Sequence, residues 1–198
     1  MRRRLFLAGA TGAIGRQLLP LLLENGYDVA GMTRTESKAA DLEAAGARPV
    51  VCDVFDRERL GAAVEEFQPE IVMHQLTDLP DELAQLPEYR GRNNRIRTEG
   101  TRNLVEAARA AGAGRFLAQS VAWELPGDGG DAVREHEAMV LEVGGVVVRY
   151  GQFYGPLTYS ADRPTHKGAM PIVHVADAAA RTVGLIDAPS GIVEIVES

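Results

Sequence analysis

Cysteine is almost absent from the 198 residues: Cys52 stands alone with no partner for an intramolecular disulfide, which fits a reducing, cytoplasmic setting. Lysine is nearly as rare. Lys38 and Lys167 are the only candidates for any chemistry that needs a deprotonatable lysine. Long apolar runs are missing too: the densest, residues 18–23, has Pro20 inside it and falls far below the roughly 20 residues a membrane-spanning helix requires. Arg2-Arg3-Arg4 before Leu5-Phe6-Leu7-Ala8 mimics the start of a signal peptide, but Gly9, Gly12, Gly15 and Arg16 break the apolar stretch. Neither secretion nor membrane insertion is expected. Positive charge is not in excess either. The 21 Lys and Arg against 28 Asp and Glu leave a net charge of -7, which repels polyanions and argues against nucleic acid as a partner.

What remains is the make-up of an ordinary globular protein, 45% apolar and 25% charged. A chain of this length buries roughly 70% of the surface its unfolded form exposes, so a single domain spanning 1–198 is expected. Apolar, β-branched runs at 5–7, 29–33, 49–51, 71–73, 116–118, 146–148 and 192–196 read as strands. Helical patterns fall at about 13–25, 35–45, 56–67, 93–112, 131–143 and 175–188. This alternation predicts an α/β fold, a doubly wound parallel sheet of about seven strands covered on both faces. Pro20 is expected to bend the first helix. Gly- and Pro-rich stretches at about 121–131 and 151–171 follow strands at their carboxyl ends, where open α/β sheets bind ligands, and are read as substrate loops.

The most specific feature is Gly9-Ala10-Thr11-Gly12-Ala13-Ile14-Gly15, directly after the first strand and opening the first helix. One glycine turns the chain, one lets the backbone approach a pyrophosphate, and one lets helix and strand pack closely, with the phosphates at the positive helix end. This GxxGxxG spacing resembles the short-chain dehydrogenase/reductase superfamily, and further matches point to its extended branch, the NAD-dependent epimerase/dehydratase-like proteins. Those matches are Cys52-Asp53-Val54, Gly100-Thr101-Arg102-Asn103-Leu104, Tyr150-Gly151-Gln152-Phe153-Tyr154-Gly155-Pro156 and His174-Val175-Ala176-Asp177-Ala178-Ala179. The resemblance implies a Rossmann-like fold, an adenine held by Asp53 and Val54, and a cofactor face that includes Leu76. It also implies a small-molecule substrate and allows a homodimer through the helix at 93–112. The C-terminal substrate lobe usual in that branch is reduced here, since only residues 156–173 separate Gly155 from His174. An acid at the end of the second strand would accept ribose hydroxyls, whereas Arg34 stands there instead. NADP(H) is therefore favoured over NAD(H) as cofactor.

The family's catalytic pattern is not met. It pairs a tyrosine acid/base with a lysine four residues on, and no Tyr-x-x-x-Lys occurs in this chain. Gly129 and Val133 stand roughly where the pair belongs. Val121, or Ser120 in a register one residue away, takes the place of the family's catalytic serine, and Arg97 replaces its usual asparagine. Relocated acid/base groups are sought among Ser120, Tyr150 and His74, with Trp123, Tyr154 and His174 nearby. Three readings stay open: an NAD(P)-dependent oxidoreductase or epimerase-type enzyme acting on a small carbonyl or hydroxyl compound, a redox-silent dinucleotide-binding sensor or scaffold, and a non-redox isomerase or cyclase. His74, His136, His166 and His174 show no zinc spacing, and Asp128 and Asp131 no calcium frame, so no metal is expected. The run Arg90, Arg92, Arg95, Arg97, Arg102 reads as a solvated or ion-paired face, or places Arg97 at the cofactor or an anionic substrate.

Overall fold

The computed structural model describes residues 2–80, 82–164 and 170–197. His166 and Lys167, and with them part of the 151–171 stretch, lie outside the described residues. The strands are β1 (Arg4–Ala8), β2 (Asp28–Thr33), β3 (Arg48–Val51), β4 (Ile71–His74), β5 (Arg115–Val121), β6 (Val146–Tyr150), β7 (Gln152–Tyr154), β8 (Ile172–His174) and β9 (Gly191–Ile195). The helices are α1 (Ala13–Glu24), α2 (Ala39–Ala44), α3 (Arg57–Phe67), α4 (Leu86–Arg95), α5 (Thr101–Ala110), α6 (Asp128–Glu142) and α7 (Val175–Val183). The central sheet runs β3-β2-β1-β4-β5-β6-β9 with every neighbour parallel, while β7 and β8 pair by themselves. This is the doubly wound α/β fold the sequence predicts.

Side-chain alternation builds two cores from one strand. In β1, Leu5 and Leu7 pack with Leu18 and Leu22 of α1 and Ala178 of α7, while Phe6 and Ala8 pack with Leu60 and Val64 of α3 and Leu104 of α5. Because the central strands are covered on both faces, their sequences are continuously apolar rather than alternating. The strand order reverses between β1 and β4, which opens a crevice at their carboxyl ends, between Gly9 on one side and Gln75 on the other.

Several boundaries depart from the expectations. The helix read at 93–112 begins at Leu86: Pro87 in its first turn presets the backbone, and a π turn at Ile96–Gly100 joins α4 to α5. The stretch 124–131 is only partly loop. Helix α6 starts at Asp128, where acidic Asp128 and Asp131 meet the positive helix end and Gly130 clears Leu125, whose carbonyl oxygen would lie 2.2 Å from a Cβ. Helix α7 stops at Val183 rather than 188, and the stretch 151–171 contains β7, which pairs with β8 directly after it. Helix α1 runs on through Pro20, which lies on its exposed side where the freed carbonyl of Arg16 can face water.

Candidate functional site

The three glycines of the first loop are required for different reasons. Gly9 has φ of 89°, and a Cβ there would lie 2.6 Å from the carbonyl oxygen of Gln75. A Cβ on Gly15 would lie 2.1 Å from the carbonyl oxygen of Gly9, so helix and loop could not meet. Gly12 is unlike both. Its φ of -76° suits any residue, and a Cβ would meet nothing nearer than 3.4 Å. The fold itself does not need glycine at position 12, which lies exposed at the start of α1. Gly12 caps that helix with no side-chain bond, leaving the first-turn amides to an outside acceptor. Thr11 closes the loop against β2, its Oγ1 lying 3.2 Å from Thr33 Oγ1, and that hydroxyl also accepts the Thr35 amide at 3.2 Å.

At the end of β2, the Arg34 guanidinium reaches Asp78 at 3.3 Å, and Arg92 takes the same carboxylate more closely, at 3.0 and 3.1 Å. Asp78 is buried while both arginines keep large exposed areas, so the trio presents a net positive charge beside the glycine loop. Asp53 uses one carboxylate oxygen on the Phe55 amide at 2.9 Å and is otherwise exposed. Val54 is buried beneath, its carbonyl receiving Asn103 Nδ2 at 2.9 Å. Leu76 follows β4, with its carbonyl accepting Gln119 Nε2 at 2.9 Å. Of the loop residues Gly9, Thr11, Gly12 and Ala13 keep exposed surface at this end of the sheet, whereas Ile14, 3% exposed, and Gly15 are buried against the core.

The catalytic candidates have a different environment. His74 is 1% exposed, and its partners fix its tautomer: Nδ1 accepts the Leu76 amide at 3.2 Å, so Nε2 carries the proton and donates to Thr101 Oγ1 at 3.0 Å. That hydroxyl donates to His136 Nδ1 at 2.7 Å, and His136 Nε2 donates to the Gln119 carbonyl at 2.9 Å. Burial, and then the nearby His136 ring, push His74 well below the ordinary histidine range; burial above all takes His136 down to about 4. Tyr150 is equally enclosed, 2% exposed, its hydroxyl 2.7 Å from Thr182 Oγ1, and burial pushes it up to about 12. Beside it the Gln75 amide is buried with neither polar atom bonded. Ser120 donates to Glu137 at 2.6 Å, and Arg149 grips the same carboxylate in a fork at 2.9 and 2.7 Å. Burial would raise Glu137, but the bonds from Arg149 and Ser120 outweigh it and hold the carboxyl below its ordinary range.

The outlying candidates are also engaged. Tyr154 hydrogen-bonds Glu197, and His174 caps α7 by accepting the Ala176 amide at 3.3 Å. The Tyr159 hydroxyl bonds the carbonyl of Pro80, tying the loop after β7 to the loop after β4. Sequence reasoning missed Asp78, Thr101, His136 and Glu137 as partners. Each sits far along the chain from the group it holds; Thr101 falls in the 100–104 motif, but nothing in that motif marks it as the partner of His74. Among the described residues no three His, Cys, Asp or Glu side chains could hold a metal ion, and no helix is long and apolar enough to cross a membrane.

A glycine turn at a topological switch point, leading into a helix whose first amides have no side-chain cap, is the arrangement of a dinucleotide-binding α/β protein. The chain belongs to the NAD(P)H-binding family, whose model matches residues 9–139, and it is of the extended short-chain dehydrogenase/reductase-like kind. It is 36% identical to a 3-diazoavenalumate denitrifying reductase of Streptomyces sp, over 93% of this chain and 72% of that protein. In fold it is similar to the UDP-glucose 4-epimerase of Thermotoga maritima, with a TM-score of 0.80 at 18% identity over 98% of this chain and 76% of the epimerase. The UDP-glucose 4-epimerase of Thermus thermophilus, solved with NAD, gives a TM-score of 0.80 at 20% identity, over 98% and 77% of the two chains. The family model supports a nicotinamide dinucleotide as the cofactor.

Proposed function

We propose that this protein is an NADPH-dependent reductase of a small molecule whose reduction needs no proton from the protein. The observation that carries this is the split between Gly12, kept open for a ligand, and the enclosed His74, Ser120 and Tyr150. The first-turn amides at Ala13 and Ile14 would hold the pyrophosphate, Asp53 and Val54 the adenine, and Arg34 the 2′-phosphate, for which its planar fork is suited. When bound, the reduced nicotinamide supplies a hydride.

Carbonyl reduction also calls for an acid beside the nascent alkoxide. Tyr150 and His74 keep their protons in the core, and Ser120 gives its own to a carboxylate already ion-paired. The name of the Streptomyces relative points to a substrate that avoids this demand. Where hydride replaces a diazonium group, a C–H bond forms, the C–N bond breaks with its electron pair, and neutral dinitrogen leaves. Such a site has only to bind, orient and exclude water. His74, Ser120 and Tyr150 then shape the wall of the site rather than act as acids or bases.

The test is anaerobic incubation of an aryl diazonium salt, and separately an aryl aldehyde, with protein and NADPH, following NADPH loss and gas release. Equal molar loss of NADPH and release of dinitrogen, above the rate without protein and abolished by Gly12→Asp, is expected. Oxidation of NADPH by the aldehyde alone would restore the carbonyl reading. Tight NADPH binding without turnover of either would make the protein a redox-silent binder.

A further inference from the structure

Among the described residues where α4 meets α5, Arg97 is half-buried and has no counter-charge. It sits in the π turn between the two helices, and its side-chain partner there is the neutral amide oxygen of Asn94, at the 3.5 Å limit of a hydrogen bond. The arginines around it differ. Arg92 is paired with Asp78 at 3.0 Å, Arg95 with Glu99 at 2.6 Å, Arg102 with Glu135 at 2.7 Å and Arg149 with Glu137 at 2.7 Å. Burying a guanidinium without a carboxylate is costly, and here burial lowers its pKa, so the arrangement needs an account.

Topology places this cation. Thr101 Oγ1 lies 3.0 Å from the ring of His74, the last residue of β4, so α5 begins level with the carboxyl end of that strand. Helices in this fold run away from that edge, and Arg97, one turn before Thr101, therefore lies just outside it, on the ligand side. The π turn that carries it packs against α6, whose His136 is bonded to the Gln119 carbonyl near the end of β5. The π turn thus places Arg97 where α4 and α5 meet α6, and π turns recur at functional sites.

We infer that Arg97 is the recognition site for a carboxylate on the substrate, which docks its anionic end where α4 and α5 meet α6, above β4 and β5. This rests on the reductase reading for the identity of the ligand, though not for the existence of the anion site. A planar carboxylate matches the guanidinium fork and neutralises a charge the fold leaves uncompensated.

Benzoate and its neutral isostere benzamide are the probes, titrated by calorimetry and by the fluorescence of Trp123, the single tryptophan, which follows β5 at the same edge. Wild type is expected to bind benzoate more tightly than benzamide. Arg97→Gln should weaken benzoate roughly tenfold to a hundredfold while leaving benzamide and NADPH unchanged. Arg97→Lys should fall between, keeping charge but losing the fork. Arg109→Gln removes the same charge from an exposed position of α5 and should change neither probe. The inference is overturned if wild type does not distinguish the two probes, if Arg97→Gln weakens both alike, or if it is NADPH binding that falls. If neither nucleotide binds wild type while benzoate still depends on Arg97, the reductase reading fails and the anion site stands.

Discussion

The two halves of the sheet's carboxyl edge solve opposite problems. On the β1–β2 side, backbone and side chains are arranged to leave something unmet: helix amides without acceptors, an open face at Gly12, and exposed guanidinium edges at Arg34 and Arg92. On the β4–β6 side the candidates His74, Ser120 and Tyr150 are each met by another part of the chain, while the amide of Gln75 is orphaned and the charge of Arg97 uncompensated. A polar residue at a strand end is thus a poor guide to catalysis by itself. What separates a binding group from a structural one is whether its hydrogen-bonding capacity is spent inside the fold.

The sharpest way to break this comparison lies in the glycines. Gly15→Ala drives a Cβ to 2.1 Å from the backbone oxygen of Gly9 and should destabilise the protein by on the order of 3 kcal/mol. Gly12→Asp has room and an ordinary φ, so it should melt near wild type yet abolish NADPH binding by placing an anion where a pyrophosphate belongs. Thermal melts and nucleotide titrations of the two variants should give opposite patterns. If both lose stability equally, the loop is a structural turn and not a cradle.

Protonation provides the next test, on the other half of the edge. His136 has a folded pKa lowered to about 4 from an ordinary 6.5, so the fold holds the neutral ring and the unfolded chain takes up the proton more readily. Stability from this group is full above pH 6.5 and declines as pH falls towards 4, by about 3 kcal/mol in all, with His74 acting in the same direction. Urea midpoints should therefore change little from pH 7.5 to about 6.5 and drop from there to pH 5. A His74→Gln, His136→Gln double variant should start less stable but show a flatter profile over that range; an unchanged slope would mean that the rings are not held neutral by burial.

How much of this was legible in the sequence follows the same division. The seven sheet strands and the glycine loop were readable because buried parallel strands are continuously apolar and because three glycines between a strand and a helix have few other uses. The start of α4 was not, since its Arg- and Asn-rich residues carry no apolar period, and β7 and β8 are too short to show alternation. Ser120, His74 and Tyr150 read as free groups because their partners lie 17, 27 and 32 residues away, on helices whose docking no local pattern reveals.

Arg34 refines the binding half. Its bonds to Asp78 are 3.3 and 3.5 Å, looser than those of Arg92, so it can turn to a phosphate while Arg92 keeps the buried carboxylate neutralised. Arg34→Ala should weaken NADPH roughly tenfold and leave NADH within twofold, read as the ratio of the two dissociation constants. Equal weakening of both nucleotides would move Arg34 from reading the 2′-phosphate to merely shaping the loop.

The smallest expected effect is the most discriminating for catalysis. Ser120→Ala removes one hydrogen bond to Glu137, whose carboxylate keeps both bonds from Arg149, so the loss should be about 1 kcal/mol. Tyr150→Phe removes the bond to Thr182, whose hydroxyl still donates to the Ala178 carbonyl at 2.7 Å, and should cost about the same. Neither change touches the glycine loop, so NADPH affinity should stay at the wild-type value, and turnover of any substrate found should fall less than threefold. An acid or base removed from its reaction lowers turnover by roughly 10²-fold or more with little change in melting temperature. That inverse pattern, stability kept and turnover lost, would return Ser120 or Tyr150 to the chemistry, and the β4–β6 edge would then be a site that closes on itself only while empty.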